Sequence, residues 1–370
     1  MINKNYKTAI IHEWLVSYAG SERVVESFAN IWKDADLFAL VDFLNEEQRN
    51  IILKGKKANT TFIQKLPLAR KKHRYYLPLF PTAIDRLNLS DYKLIISSNH
   101  AVSKGVKTNK NQLHISYCHS PMRYAWDQSE HYLTGVKGFF AKAFMNYLRK
   151  WDLKSADNVN FFIANSHHIA EKIKRIYNRD STVIYPPVDV DKFEVSEKKE
   201  DYYLIASRFV PYKKVDLVVE AFNQMPEKKL LVIGSGPEKE KIKNIAGPNI
   251  EFLPHQPADK LKEKLMKAKA FVFAAEEDFG IVVVESMACG TPVIALNKGG
   301  TAESVINGKT GILFNEQNPE SIKNAVKEFD KRIDNFDVRT IRMHAEKFSR
   351  QIFEENIRMF VTEKLRNFSY

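Results

Sequence analysis

Short apolar runs recur along the chain, and polar stretches with helical spacing separate them. In the first half the runs are 7–12, 94–98, 114–119, 160–165 and 182–185. In the second half they are 203–208, 229–234, 250–254, 270–275, 292–296 and 311–314. Most show no strict alternation of apolar and polar residues, as expected for strands covered on both faces. Between them, 213–223 and 259–268 carry apolar residues three and four apart, which suits one face of a helix. Strands alternating with helices predict an α/β chain built on parallel sheets.

The runs form two groups, split by 189–202, where nine of fourteen residues are charged. The expected organisation is an N-terminal Rossmann-like domain over 1–188, a linker over 189–202 and a C-terminal Rossmann-like domain over 203–348, with a cleft between the domains. In 349–370, Ile352, Phe353, Ile357, Phe360, Val361 and Leu365 recur at helical spacing. That pattern predicts a long amphipathic helix in need of a surface to pack on.

Composition narrows the class. Of 370 residues, 44% are hydrophobic and 28% charged, which excludes a mostly disordered chain. Lys plus Arg number 57 against 45 Asp plus Glu, a net charge of +12 that suits anionic partners. The two cysteines, Cys118 and Cys289, sit in apolar stretches and make no disulfide framework, so a reducing, cytoplasmic setting is expected. The N-terminal apolar run is interrupted by His12 and Glu13 and does not read as a signal peptide. No uncharged apolar window is long enough to span a bilayer.

The densest candidate chemistry lies in 274–300. A strand at 270–275 runs into the acidic turn Glu276-Glu277-Asp278-Phe279-Gly280, and a helix follows from about Ile281 to Cys289. Ligands of open parallel sheets sit at the carboxyl ends of strands. Gly280 permits close backbone approach there, and the first N–H groups of the helix can receive an oxygen-rich ligand. Dipole compensation explains Glu276. It does not explain Glu285, set among Val282, Val283, Val284, Met287 and Ala288, where a carboxylate needs hydroxyl or amide partners.

A second cluster, Ser207-Arg208-Phe209-Val210-Pro211-Tyr212-Lys213-Lys214, follows the first strand of the second half. A cation near a helix start opposes the helix dipole unless an anion binds there. Arg208 and Lys213, a fork and a mobile point charge, suit a diphosphate. Solvated surface cations are the alternative, and the better one for Lys214. In the first half, Tyr18-Ala19-Gly20-Ser21-Glu22-Arg23 follows a strand, and an ordinary turn with Ser21 as helix N-cap also accounts for it. His119 falls at the end of another strand, before Pro121.

Glu277 and Glu285, with seven residues between them in EDFGIVVVE before SMACGTPVIA, resemble the donor-site signature of retaining family-4 glycosyltransferases of the two-domain GT-B fold. The resemblance covers nearly the whole chain, and its motifs keep family order. It implies that Glu277 contacts hydroxyls of the donor sugar and Glu285 holds the ribose. Backbone N–H groups around Phe279, Gly280 and Ile281 face sugar and phosphate. Arg208 and Lys213 stabilise the departing nucleotide diphosphate. The segment at Gly20 is similar to the family's Gly-Gly-x-Glu-Arg loop, but Ala19 and Ser21 flank a single glycine. His119 matches the active-site histidine beside the reacting centre. Arg123, Tyr124 and Trp126 match acceptor-side positions, Gly299-Gly300 and Glu303 a Gly-Gly-x-x-Glu turn, and His255-Gln256 a base-side turn. The final helix is expected to cross back to the first domain. Gly234-Ser235-Gly236 reads only as a tight turn, since it lacks the third glycine of a dinucleotide fingerprint.

The implied activity is transfer of a hexose from a nucleotide sugar to a hydroxyl acceptor with retention, without a cofactor or metal. The motif set most resembles bacterial GDP-mannose-dependent mannosyltransferases of surface polysaccharide synthesis. The acceptor expected is a saccharide or a lipid-linked one. Two basic segments rich in aromatics, 65–74 and 137–151, suit an anionic membrane surface at the cytoplasmic face, or a buried aromatic face with solvated lysines. No nucleic-acid module is present. Two alternatives stay open: a non-catalytic sugar-nucleotide or lipid-binding subunit of a polysaccharide assembly, and a GT-B nucleotide-sugar epimerase.

Overall fold

The computed structural model describes residues 6–126, 136–254 and 256–368. His255 lies outside the described residues, and the side chains of 136–141, which open the basic segment 137–151, are not described either. Two compact units are present: Met1–Pro187 with Phe353–Tyr370, and Val188–Ile352. Both are α/β, as the alternating pattern requires.

The first unit is built on seven parallel strands: β1 (Thr8–Leu15), β2 (Asp36–Asp42), β3 (Asn59–Thr60), β4 (Leu94–Asn99), β5 (Leu113–Cys118), β6 (Phe161–Ala164) and β7 (Ser181–Val183). Their order is β3-β2-β1-β4-β5-β6-β7. The order reverses between β1 and β4, which makes the carboxyl ends of these two strands the switch point where a Rossmann-like sheet opens a crevice. Strand β2 was not legible in the sequence. Its apolar run, Leu37–Val41, is buried throughout, and so short a run fits a strand or a buried helix equally well.

The helix Arg350–Asn367 buries Phe353, Ile357, Phe360 and Val361. Phe353 stacks on Phe28 at 6.1 Å between ring centroids and meets Tyr117 edge-on at 5.6 Å. Asn30 Nδ2 donates to Glu354 Oε1 at 2.8 Å. Burying one such phenyl ring contributes about 1.5–3 kcal/mol, which fastens the C-terminal segment into the first unit's core. Ile352 departs from the expected apolar face and is 38% exposed.

The second unit has six parallel strands: β8 (Tyr203–Ala206), β9 (Leu230–Ile233), β10 (Ile250–Leu253), β11 (Ala270–Phe273), β12 (Val293–Leu296) and β13 (Gly311–Phe314). Their order is β10-β9-β8-β11-β12-β13, with the reversal between β8 and β11. Residues 189–202 lie within this unit. Val190 and Phe193 are buried, and Asp189 Oδ1 accepts from Arg350 Nε at 2.6 Å.

Candidate functional site

In the second unit, the two loops at the switch point carry the clustered charges. Strand β8 is buried along its length and ends at Ala206, which releases Arg208 to an exposed position. Pro211–Lys213 forms a tight helical turn, Lys214 takes a left-handed conformation at φ 53°, and the helix Val215–Asn223 follows. From that turn the Lys213 side chain, 18% exposed, reaches Glu277 of the loop after β11, itself 15% exposed. The two form an ion pair. Lys213 Nζ also lies 5.6 Å from the ring centroid of Phe273. Two residues 64 positions apart in sequence thus neutralise each other where the sheet order reverses.

Gly280 caps the helix Ile281–Ala288 in a left-handed conformation at φ 84°, and no side chain caps that end. The helix start is left to present backbone N–H groups, as an anion site requires. Phe279 is 3% exposed and packs on Phe348 at 5.7 Å, so only its backbone is available to a ligand. Ile281, Val282 and Glu285 share a partly exposed face of the helix. The apolar environment expected around Glu285 therefore holds for one side of the helix only.

Neighbouring turns brace both loops. Gly300 N–H donates to Glu277 O at 2.8 Å, and a Cβ on Gly300 would stand 2.2 Å from Asp278 O. A Cβ on Gly236 would stand 2.3 Å from Phe209 O. The role of Gly234-Ser235-Gly236 is thus wider than a tight turn: its backbone lies against the loop that carries Arg208. Spacing along the sequence holds no signal for such a fit, because the partner is another loop.

In the first unit, His119 stands at the end of β5, partly exposed, with its Nε2 2.8 Å from Ser98 Oγ. Burial first, then the charges of His100 and His12, push its pKa down to about 3, so the ring is neutral at pH 7. Gly20 begins the helix Gly20–Ile31, whose N-cap is Ala19. Ser21 is therefore not the cap; its Oγ donates to Glu22 Oε2 at 3.0 Å. Gly20 does not adopt positive φ, so the backbone conformation itself does not demand glycine there.

His12 and Glu13, the polar pair that breaks the first apolar run, prove to be buried beside this site at the carboxyl half of β1. Glu13 Oε1 accepts the backbone N–H groups of His100 at 3.0 Å, Ala101 at 2.9 Å and Ser103 at 3.2 Å. Its Oε2 lies 3.0 Å from His100 Nδ1. Burial works against the carboxylate, but the charge and hydrogen bond of His100 outweigh it and hold Glu13 far below the usual carboxylate range. The sequence signal for these residues was present: a His-Glu pair inside a strand covered on both faces demands partners.

Arg123, Tyr124 and Trp126 lie on the short helix Arg123–Trp126, each half-buried. Trp126 Nε1 donates to Asp152 Oδ2 at 2.8 Å, which engages its polar edge within the first unit.

The comparisons with known proteins follow the same division. The family description "Glycosyltransferase Family 4" matches residues 19–192, and "Glycosyl transferases group 1" matches 189–332. An uncharacterized glycosyltransferase of Methanocaldococcus jannaschii is 30% identical over 221 residues, 58% of this chain and 61% of that protein. A GDP-mannose-dependent alpha-(1-6)-phosphatidylinositol monomannoside mannosyltransferase of Mycolicibacterium smegmatis is 29% identical over 170 residues, 38% of this chain and 44% of that protein. The chain thus spans less than two thirds of the length of these relatives. Among solved structures, Anabaena Alr3699/HepE in complex with UDP superposes with a TM-score of 0.74 at 16% identity, covering 96% of this chain and 100% of that one. A sucrose-phosphate synthase from Thermosynechococcus elongatus gives 0.74 at 18% identity, covering 98% and 100%. At such identities the likeness is one of fold.

Proposed function

Because the chain belongs to the glycosyltransferases, group 1 in its second half and family 4 in its first, we propose that it moves a hexose from a nucleotide sugar to a hydroxyl acceptor with retention. The observation that carries this reading is the Lys213–Glu277 pair, which joins the loop that carries Arg208 to the loop that leads into the helix start at Gly280. One side of that arrangement suits a diphosphate and the other suits sugar hydroxyls. A diphosphate would take Lys213, and the sugar would take Glu277.

In the mechanism this supports, the bond from C1 of the sugar to the diphosphate oxygen breaks. The acceptor oxygen bonds to C1 on the same face, and its proton passes to the departing phosphate. Arg208, Lys213 and the N–H groups after Gly280 stabilise the negative charge that develops there. On the motif resemblance, Glu285 is assigned to the ribose, and neutral His119 and the backbone at Gly20 are assigned to the sugar. Arg123, Tyr124 and Trp126 are assigned to the acceptor side on the same resemblance. No step needs a metal or cofactor.

The donor proposed is GDP-mannose. It is supported by the motif resemblance and by the Mycolicibacterium smegmatis relative, whose name specifies that donor. Thermal stabilisation by GDP-, UDP-, ADP- and dTDP-sugars in the presence of EDTA tests the site. At about a hundredfold excess over Kd, binding stabilises by about 2.7 kcal/mol. A shift with GDP-mannose that Glu285→Ala abolishes is expected. A folded protein that no nucleotide sugar stabilises would refute the donor site, and a shift only after adding a divalent metal would refute metal independence.

A lipid-linked acceptor at the cytoplasmic membrane face completes the proposal. Among the described residues no helix is long and apolar enough to cross a membrane. Segment 65–79 contains no acidic residue. It exposes Leu68 at 65% and Tyr75 at 76% beside exposed Arg70, Lys71, Lys72 and Arg74. Each such cation is worth about 1 kcal/mol near an anionic bilayer. Sedimentation with phosphatidylglycerol vesicles should exceed that with phosphatidylcholine, and Arg70→Glu with Lys72→Glu should abolish the difference. Equal binding to both lipids would count against the membrane surface.

A further inference from the structure

A line of polar contacts, buried at its centre and half-buried at its ends, runs from the Gly20 turn to His119, and the donor-site reading leaves it unused. Glu22 Oε2 accepts the Ala19 N–H at 3.1 Å and Ser21 Oγ at 3.0 Å, which fixes the turn around Gly20. Glu22 Oε1 lies 3.3 Å from His12 Nε2. On the other side of the ring, His12 Nδ1 lies 3.2 Å from Ser98 O. Ser98 Oγ then meets His119 Nε2 at 2.8 Å.

Both nitrogens of His12 therefore face oxygen acceptors, a carboxylate and a backbone carbonyl. A neutral imidazole carries one N–H and can satisfy only one of them; an imidazolium satisfies both. Ser98 O also accepts from Ser103 Oγ at 2.9 Å, but a neutral ring, 1% exposed, would still turn a bare nitrogen lone pair toward an oxygen. We propose that His12 acts as an imidazolium positioning residue that ties the Gly20 turn to His119, so that the two donor-facing elements of the first unit are held as one preorganised group. This rests on the transferase reading, in which Gly20 and His119 face the donor.

The surroundings of His12 favour its charge. Glu13, on the same strand, places Oε2 3.6 Å from Nδ1. Glu22 faces it from the helix Gly20–Ile31. His100, from the loop after β4, lies 5.7 Å away between ring centroids, and His119, after β5, lies 6.2 Å beyond His100. Burial disfavours the imidazolium, but the hydrogen bond and charge of Glu22 and the charge of Glu13 outweigh it, so the pKa lies above the ordinary imidazole value. With a raised folded-state pKa, the contact is fully present below the ordinary imidazole value. It is lost as pH rises through that pKa.

The test is the pH profile of kcat/KM in wild type, His12→Gln, Glu22→Gln and His119→Ala. Wild type should show an alkaline limb. His12→Gln should lower kcat/KM by roughly 10- to 100-fold, the scale of a small misplacement of reacting groups, and should lack that limb. Glu22→Gln keeps an acceptor oxygen but removes the charge, so the limb should move to lower pH. The inference is overturned if His12→Gln retains activity within about twofold of wild type with an unchanged limb, while His119→Ala is disabled. Should His12→Gln fail to fold, an unmoved limb in Glu22→Gln overturns it equally. Full activity in His119→Ala would overturn the reading of His119 as donor-facing, and the inference with it.

Discussion

Arg208→Ala is expected to lower kcat by about a hundred- to a thousandfold, or about 2.7–4 kcal/mol in the barrier, with the fold intact. The size follows from what the guanidinium would do. In the proposed reaction, charge develops on the diphosphate as the bond to the sugar breaks, and a preorganised donor at that point stabilises the transition state more than the ground state. The intact fold follows from position: Arg208 is exposed beyond the last residue of β8, so its truncation leaves no cavity. Lys213→Ala should cost a similar factor for a partly different reason, since it also leaves Glu277 without its ionic partner. The two losses should not add, because both act on one developing charge. Steady-state kinetics of the single and double variants, with thermal melting as the control for folding, check this. A folded Arg208→Ala enzyme within threefold of wild type would remove Arg208 from the leaving-group site.

Asp152→Ala should destabilise the first unit by about 3–5 kcal/mol, the usual cost of breaking a buried ion pair from one side. Lys104 and Asp152 are both 0% exposed, and Lys104 Nζ lies 2.6 Å from Asp152 Oδ1. The ammonium also donates to Asp152 O at 2.9 Å and Ser155 Oγ at 2.5 Å. Asp152 Oδ2 accepts from Trp126 Nε1 and Tyr177 OH, each at 2.8 Å. The variant would strand one buried cation, one buried donor and one half-buried donor at once. For a domain of this size the loss corresponds to a fall in Tm of roughly 6–20 °C. Lys104→Met combined with Asp152→Leu should recover the part of the loss due to the stranded cation, because apolar residues carry no desolvation cost, while Trp126 Nε1 and Tyr177 OH stay without their acceptor. Calorimetry of the three proteins decides the matter. A double variant no more stable than Asp152→Ala would show that the stranded donors and packing, and not the stranded charge, set the cost.

The sequence carried the strands of the second unit well, because each is a buried apolar run bounded by polar turns. It carried β2 poorly, because an apolar run of five residues has the same look in a helix. The acidic turn before Ile281 was legible as a ligand-facing element, since a strand end, a glycine and an uncapped helix start are all local. Trp126 shows the opposite case. Its place in the motif suggested an acceptor contact, and only the folded chain brings Asp152 to its indole N–H.

By itself, the sequence determined the α/β class, the division into two groups of strands and the residues at the carboxyl ends of those strands. These depend on hydrophobic burial, which is additive along the chain and leaves a period that can be read. Tertiary structure alone decided which charges face each other: Lys213 with Glu277, Lys104 with Asp152, and His12 between Glu22 and Ser98. A charge carries no record of its partner in the sequence. Its state depends on distance and on the water removed around it, and both are set only when strands distant in sequence come into register.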